Sequence, residues 1–405
     1  MQQSDDNGIK EALNKKAALG PDIDITKYAD SQKQTVIDDL NNAPQEIKDD
    51  IIRVGVTADQ AGRDGSILFI GNRPSSCTSC TQEGVVVMST KQAIERYDWV
   101  REKFNWNVLD PKKDKYTAKT YLEDSDGYFV WVKEGVKAEK PVQCCMLIAD
   151  QGTIQNVHNI IIVEKDASVE LITGCTTDRH ANNALHVGVS EMYVGENGSL
   201  TFSMIHNWGS DTAVRPRTAV RVEKGGSYVN NYVIMEPVGT LQSYPVAYLE
   251  GEGASARFNT ICVSKTGSDI DTGGAVVFNA PNTSAEIMSR SITRGGRMIA
   301  RGKLSGNAPG CKAHLECRSL VLEDGGLTLA IPELESTVAD VELTHEAAVG
   351  KIARDQIEYL MSRGLSEDDA VSMIVRGFLV GGIQGLPENL EKEINDTIEK
   401  ANLGN

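Results

Sequence analysis

The sequence predicts a mainly β protein, with a right-handed parallel β-helix core carried between an N-terminal and a C-terminal helical domain. Two observations predict the core. From about residue 116 to 340, short β-branched runs alternate with Gly, Asn, Asp and Ser, and long helical periods are absent. Inside that stretch a polar turn recurs. Val163-Glu164-Lys165-Asp166-Ala167-Ser168-Val169 is followed by Val194-Gly195-Glu196-Asn197-Gly198-Ser199-Leu200, then by Val222-Glu223-Lys224-Gly225-Gly226-Ser227-Tyr228. A looser copy is Leu249-Glu250-Gly251-Glu252-Gly253-Ala254-Ser255, and the successive intervals are 31, 28 and 27 residues. A strand–turn–strand unit of this length cannot bury its own apolar face, so stacked neighbours must bury it together. Small corner residues let the chain turn tightly and let coils approach. An antiparallel sandwich with similar turns accommodates the same spacing, so the repeat alone leaves strand direction open.

The elements follow in order. Residues 1 to about 60 read as helical and charged, with Asp39 to Ile52 mixing polar and apolar residues at helical spacing. Residues 66–73 read as a short strand that meets a turn at Pro74, and Lys91 to Phe104 as a helix. Asp110 to Lys115 reads as a charged linker, which divides the chain into an N-terminal domain (1–110), the β-helix core (111–340) and a C-terminal helical domain (341–405). From His345 onward the pattern is helical again. Ile352, Ile357, Leu360 and Met361 share one face, Gly364 ends that helix, and Ser366 caps the next, whose first turn holds Glu367, Asp368 and Asp369. Val371, Ile374, Val375 and Phe378 give the second helix an apolar face, which suits either a docking surface or packing on the β-domain.

Composition narrows the function. The chain has 405 residues, 40% of them hydrophobic, and a net charge of −16 from 57 acidic and 41 basic residues. No Lys/Arg block marks a nucleic-acid surface. No segment approaches the roughly 18 apolar residues of a membrane span. The start, Met1 to Asp6, lacks a basic region followed by an apolar stretch, so a cytoplasmic protein is expected. The eight cysteines are then expected as reduced thiols rather than disulfides. There is no Gly-x-x-x-x-Gly-Lys-[Ser/Thr] loop, so ATP is not bound through a P-loop on this chain.

The tail carries a specific resemblance. His345-Glu346-Ala347 leads through Gln356-Ile357-Glu358-Tyr359 and Arg363-Gly364 to Gly377-Phe378. This resembles the C-terminal signature of the SufB/SufD family of iron–sulfur cluster assembly scaffolds. Asp126 to Val132, Gly135 to Gln143, and Cys175-Thr176 followed by Leu185-His186-Val187 resemble the opening and centre of that family's β-helix. The likeness covers about residues 110–385, and the length is similar to a compact archaeal-type version in which one subunit replaces both SufB and SufD. The resemblance implies a dimer formed along the β-helices and a SufC-type ABC ATPase held by the C-terminal helices. It also implies an iron–sulfur cluster (4Fe–4S or 2Fe–2S) built at the scaffold interface and handed to apo-protein recipients, with no turnover by the scaffold itself.

Cluster assembly calls for thiolates, sometimes completed by His or carboxylate. Cys317 lies 28 residues before His345, where the resemblance implies the essential scaffold cysteine. The bland alternative is a buried core thiol. His345 and Glu346 are implied as cluster partners contributed across the dimer, although Glu346 at a helix start would be favourable for dipole reasons alone. Cys175 is implied as an acceptor that passes sulfur along the β-helix interior, or is a core thiol. Cys311 lies six residues before Cys317, with His314 between them; on a strand, 311 and 317 share a face and 314 takes the other. Cys77 and Cys80 form a lone CxxC, half of a zinc site or a redox pair. His180, His186 and His206 are expected as turn-exposed. Two other classes compete with the scaffold: a β-helix polysaccharide lyase or glycosidase, disfavoured by the 5% aromatic content, and a structural adaptor for an ATPase.

Overall fold

The computed structural model describes residues 6–31, 35–59, 62–78 and 82–380. The chain winds as a β-solenoid of about eight turns, each turn giving one strand to each of two sheets. One sheet runs from Val142–Ile148 through Ser168–Thr177, Ser199–Asn207, Ser227–Ile234, Ser255–Lys265, Ser284–Arg294 and Cys311–Glu323 to Val341–Gly350. The other runs from Tyr128–Val132 through Thr153–Val163 and Leu185–Val194 to Asp269–Phe278, Arg297–Gly306 and Leu327–Ser336. The coils pair in parallel throughout, which excludes the antiparallel sandwich. Among the described strands, the short ones at the N-terminal end pair antiparallel, Ser66–Ile70 with Arg73–Thr78 and Val85–Ser89 with Tyr128–Val132.

The register explains the sequence repeat. Ser168, Ser199, Ser227, Ser255 and Ser284 stand opposite one another on successive rungs, in one column. Just before them the chain turns through a left-handed residue in each coil: Asp166 (φ 56°), Asn197 (52°), Gly225 (64°), Gly253 (72°), Asn282 (58°) and Gly310 (74°). Only Gly, Asn and Asp take that conformation at little cost, which is why these residue types recur. The polar ones also tie coils together, as Asn197 Nδ2 donates to Asp166 Oδ1 at 3.0 Å.

Alternation along each strand splits the apolar residues into two sets. One set fills the solenoid interior, including Leu171, Phe202, Phe258, Ile287 and Leu315. The other covers the outer face of the first sheet, where Ile172, Ile205, Val233, Ile261 and Ile292 meet the helix Gln45–Ile52 and the tail helix Glu367–Val380 through Val375 and Leu379. The apolar stripe of the tail helix therefore packs on its own solenoid, leaving Tyr359, Met361 and Met373 exposed. Gly364 at φ 100° ends the preceding helix, Arg354–Ser362. Ser366 accepts from the Asp369 amide at 3.1 Å, as the cap pattern predicts.

Three local expectations are corrected. The helix expected from His345 begins only at Arg354, because residues 341–350 complete the last rung of the solenoid as a strand. The helix expected over Lys91–Phe104 is two, Thr90–Arg96 and Asp98–Lys103, broken where Tyr97 turns to an extended conformation. The expected linker at Asp110–Lys115 is instead anchored. Asp114 is buried, caps the helix Lys115–Leu122 by accepting from the Tyr116 and Thr117 amides, and pairs with buried Arg217 at 2.6 Å. Among the described residues no helix is long and apolar enough to cross a membrane.

Candidate functional site

The thiols are distributed by strand alternation. Cys144, Cys175, Cys262, Cys311 and Cys317 face the solenoid interior, while Cys145 lies in the outer layer beneath the helices. Neighbouring Cys144 and Cys145 thus point to opposite sides of one strand, as a strand requires.

Cys317 is 1% exposed, and burial, reinforced by Glu316, pushes its thiol up to about 11 against the pull of Arg290. It sits on the penultimate strand of its sheet. Across the ladder it faces Ser289 on one side and Ala347 of the last strand on the other. His345 stands opposite Leu315, so it is on the same, inward face as Cys317, one strand outward and two residues away. The Cα separation implied by strand spacing and rise is roughly 8 Å. Glu346 stands opposite Glu316 and takes the other face of the sheet. Within one chain, then, the structure brings His345 to the side of Cys317 and sends Glu346 away from it. Glu346 instead pairs with Arg318 at 2.9 Å.

Cys311 shares the inward face but not the neighbourhood of Cys317. Six residues of strand separate them by roughly 20 Å. Its sulfur donates to Ala308 O at 2.8 Å and lies 3.3 Å from Thr283 Oγ1, a fully satisfied corner thiol. His314 falls on the outer face, as the spacing predicts. Cys77 is exposed, with its sulfur 3.6 Å from Val87 O. Its CxxC partner Cys80 lies outside the described residues.

Cys175 is 2% exposed, and burial holds its thiol well above the usual range. It lies five rungs from Cys317 on the same sheet, which is about 24 Å along the axis at ~4.8 Å per rung. In the column of Cys317 the inward residues are Thr173, Met204, Tyr232, Thr260 and Ser289, four of them polar and Met204 apolar.

The expectation that His186 and His206 are turn-exposed is wrong, since both are buried in this interior; His180 alone is exposed. His206 stands directly opposite Cys175. Its Nδ1 lies 3.1 Å from the Tyr232 hydroxyl, its ring is 5.1 Å from Trp208, and its Nε2 has no hydrogen-bond partner. His186 Nδ1 meets Gln155 Oε1 at 3.0 Å. Burial lowers the His186 imidazole to about 3 and His206 well below the usual range, so both are neutral at pH 7. The signal that could have found them was the coil period: His206 follows Cys175 by 31 residues, one full turn.

A closed parallel solenoid with reduced thiols along its interior, and one thiol a single rung from its open end, defines a class of β-helix proteins with a thiol-lined core. Comparison with known proteins says which. Residues 146–378 match the family model described as "SUF system FeS cluster assembly, SufBD core domain". An "Iron-sulfur cluster assembly SufBD family protein" of Archaeoglobus fulgidus is 46% identical over 355 residues, 87% of this chain and 95% of that one. Its counterpart in Methanothermobacter thermautotrophicus is 38% identical over 402 residues, 98% of both chains. The "Iron-sulfur cluster assembly protein SufB" of Bacillus subtilis is 32% identical over 324 residues, 78% of this chain and 69% of that one. The chain belongs to the SufBD family of iron–sulfur cluster assembly proteins.

Proposed function

We propose that the chain is a scaffold on which an iron–sulfur cluster is assembled between two copies, with Cys317 as the thiolate ligand and His345 as its neighbour at the joint. The observation that carries this reading is the open end of the solenoid. Among the described residues, Val341–Gly350 pairs on one edge only, with Cys311–Glu323, and Leu327–Ser336 pairs only with Arg297–Gly306. Leu327, Leu329, Leu334 and Val349 are exposed there. Long unpaired edges with apolar side chains invite pairing with another chain, and a twofold axis satisfies both copies with one surface. Across such a joint each Cys317 is one rung from the seam, beneath the small side chain of Ala347, and His345 lines the seam itself.

Glu346 acts from the outer face rather than beside its own Cys317. Cys175 serves as the interior sulfur acceptor, and the Thr, Ser and Tyr groups of the intervening rungs supply polar contacts along the way. Cys311 is a structural thiol in this reading. The exposed faces of the two tail helices, with Tyr359, Met361 and Met373, suit a SufC-type ATPase whose ATP-driven motion opens the seam. The completed cluster passes to apo-protein recipients, and the work takes place in the cytoplasm.

Anaerobic reconstitution with ferrous iron and sulfide tests the reading. The wild type should turn brown with sulfur-to-iron charge-transfer absorbance, and Cys317→Ser should stay colourless with an unchanged circular-dichroism spectrum. A colourless wild type that still binds its ATPase would make the chain an adaptor instead.

A further inference from the structure

The alternation that parts Glu346 from Cys317 gives Glu346 other company. On the outer face of the last two rungs it stands opposite Glu316, and His314 stands opposite Thr344. A His314 ring nitrogen and carboxylate oxygens of Glu316 and Glu346 all lie within 4.8 Å of one another. The Thr344 hydroxyl donates to Ala313 O at 3.3 Å, which lets its oxygen accept from His314 Nδ1 at 2.9 Å. In that tautomer the lone pair is on Nε2, the arrangement by which an outer partner prepares an imidazole for a metal ion.

Two cations bear on the pair of carboxylates, and they differ in freedom. Arg290 is buried, contacts Glu316, and lies 5.9 Å from the Phe378 ring centroid. Arg318, whose side chain is 41% exposed, reaches Glu346 at 2.9 Å and Glu316 at 3.2 Å. The other charged groups on this face are already matched: Glu286, opposite His314, pairs with Arg257 at 2.9 Å, and Lys312 pairs with Glu342 at 3.6 Å.

We propose that His314, Glu316 and Glu346 form a site for one divalent transition-metal ion, ferrous or manganous, and that Arg318 occupies it when the ion is away. One imidazole and two carboxylates are a borderline-to-hard donor set, suited to these ions and poorly suited to soft ones. With Arg318 in place the two carboxylates and two guanidiniums sum to zero charge. When Arg318 swings into solvent the site is left net negative, with Arg290 still fixing Glu316 for ligation. The site lies on the opposite side of the sheet from Cys317 and shares Glu346 and the last strand with the proposed seam, so the Cys317 variant below is what tells the two apart.

Mn(II) alone is the probe. The whole chain, stripped with chelator and free of sulfide, is titrated while the six-line electron paramagnetic resonance signal of free Mn(II) is followed. The wild type should bind one ion per chain. His314→Gln and Glu346→Gln, both at positions with solvent access, should each weaken binding at least ~10-fold. Arg318→Gln should tighten it, because the competing cation is gone. Cys317→Ser should leave Mn(II) binding unchanged even where it abolishes cluster retention, which separates this site from the thiol site. Absence of binding in both wild type and Arg318→Gln overturns the proposal. So does binding that His314→Gln and Glu346→Gln do not weaken, and so does loss of binding in Cys317→Ser.

Discussion

Glu191→Gln changes one atom and one charge at a fully buried position, and its cost can be worked from the geometry. The Glu191 carboxylate accepts from four consecutive backbone amides, those of Trp106 at 2.6 Å, Asn107 at 2.8 Å, Val108 at 2.8 Å and Leu109 at 3.2 Å. It also accepts from the Tyr193 hydroxyl at 3.1 Å and meets His158 Nε2 at 2.9 Å. A single side chain thus moors the 106–109 segment to the solenoid. Its best amide orientation keeps the oxygen on Asn107, Val108 and Leu109 and turns the NH2 group toward Trp106 N–H and His158. The Trp106 N–H and the His158 Nε2–H, both donors to the carboxylate, then face the amide NH2, at ~1–3 kcal/mol for each one left unmet, and the remaining bonds lose their charge assistance. Together the expected loss is about 3–5 kcal/mol, the range for breaking a buried charged network. Hydrogen exchange is the assay, since a solenoid need not unfold as one unit. Amides 106–109 should exchange at least ~100-fold faster in the variant, while the rungs beyond Ser227 keep wild-type protection. Wild-type exchange at 106–109 would refute the mooring. The pH dependence has a definite sign. Burial raises the Glu191 carboxyl, but the His158 hydrogen bond and charge and the Val108 and Leu109 amides outweigh it, so the folded value lies below the usual carboxylate range. Its stabilisation is therefore complete above the unfolded-state value and lost as pH falls through the lower, folded one.

Three further outcomes follow from the same geometry. Asp114→Ala removes a helix cap and the partner of buried Arg217 together, and should cost about 3–5 kcal/mol by chemical denaturation; Arg217→Met in that background should recover part of it. In native protein at pH 7.5, iodoacetamide should label Cys77, which solvent reaches, faster than Cys175 and Cys317, which are 2% and 1% exposed; mass spectrometry reads the result, and rapid labelling of Cys175 would contradict it. Leu329→Asp with Val349→Asp, both exposed at the open end, should turn the proposed dimer into a monomer in light scattering without altering circular dichroism; a wild type that is already a monomer would refute the seam.

Much of the fold was legible because a solenoid writes its period into the chain. The recurring Asp166, Asn197 and Gly225 are the left-handed corners, and the serine two residues after each opens the strand that follows. The tail shows the limit. The residues from His345 to Gly350 have a pattern that a helix accepts, and only the need of Cys311–Glu323 for a partner made them a strand. Tertiary pairing overrode a weak local preference there. The interior histidines were misjudged for a related cause: the 31-residue step from Cys175 to His206 marks an inward position only once strand parity is known, and His206 is buried because it shares parity with Leu200 and Phe202.

By itself the sequence determined the coil spacing, the corners, the cysteine positions and the family signature, because these depend on residue type and interval. Only the tertiary structure decided which side chains meet. Moving one residue along a strand carries a side chain through the sheet, so neighbours His345 and Glu346 end on opposite faces. The register between rungs brings together groups some thirty residues apart, placing His314 and Glu316 beside Glu346, and His206 beside Cys175.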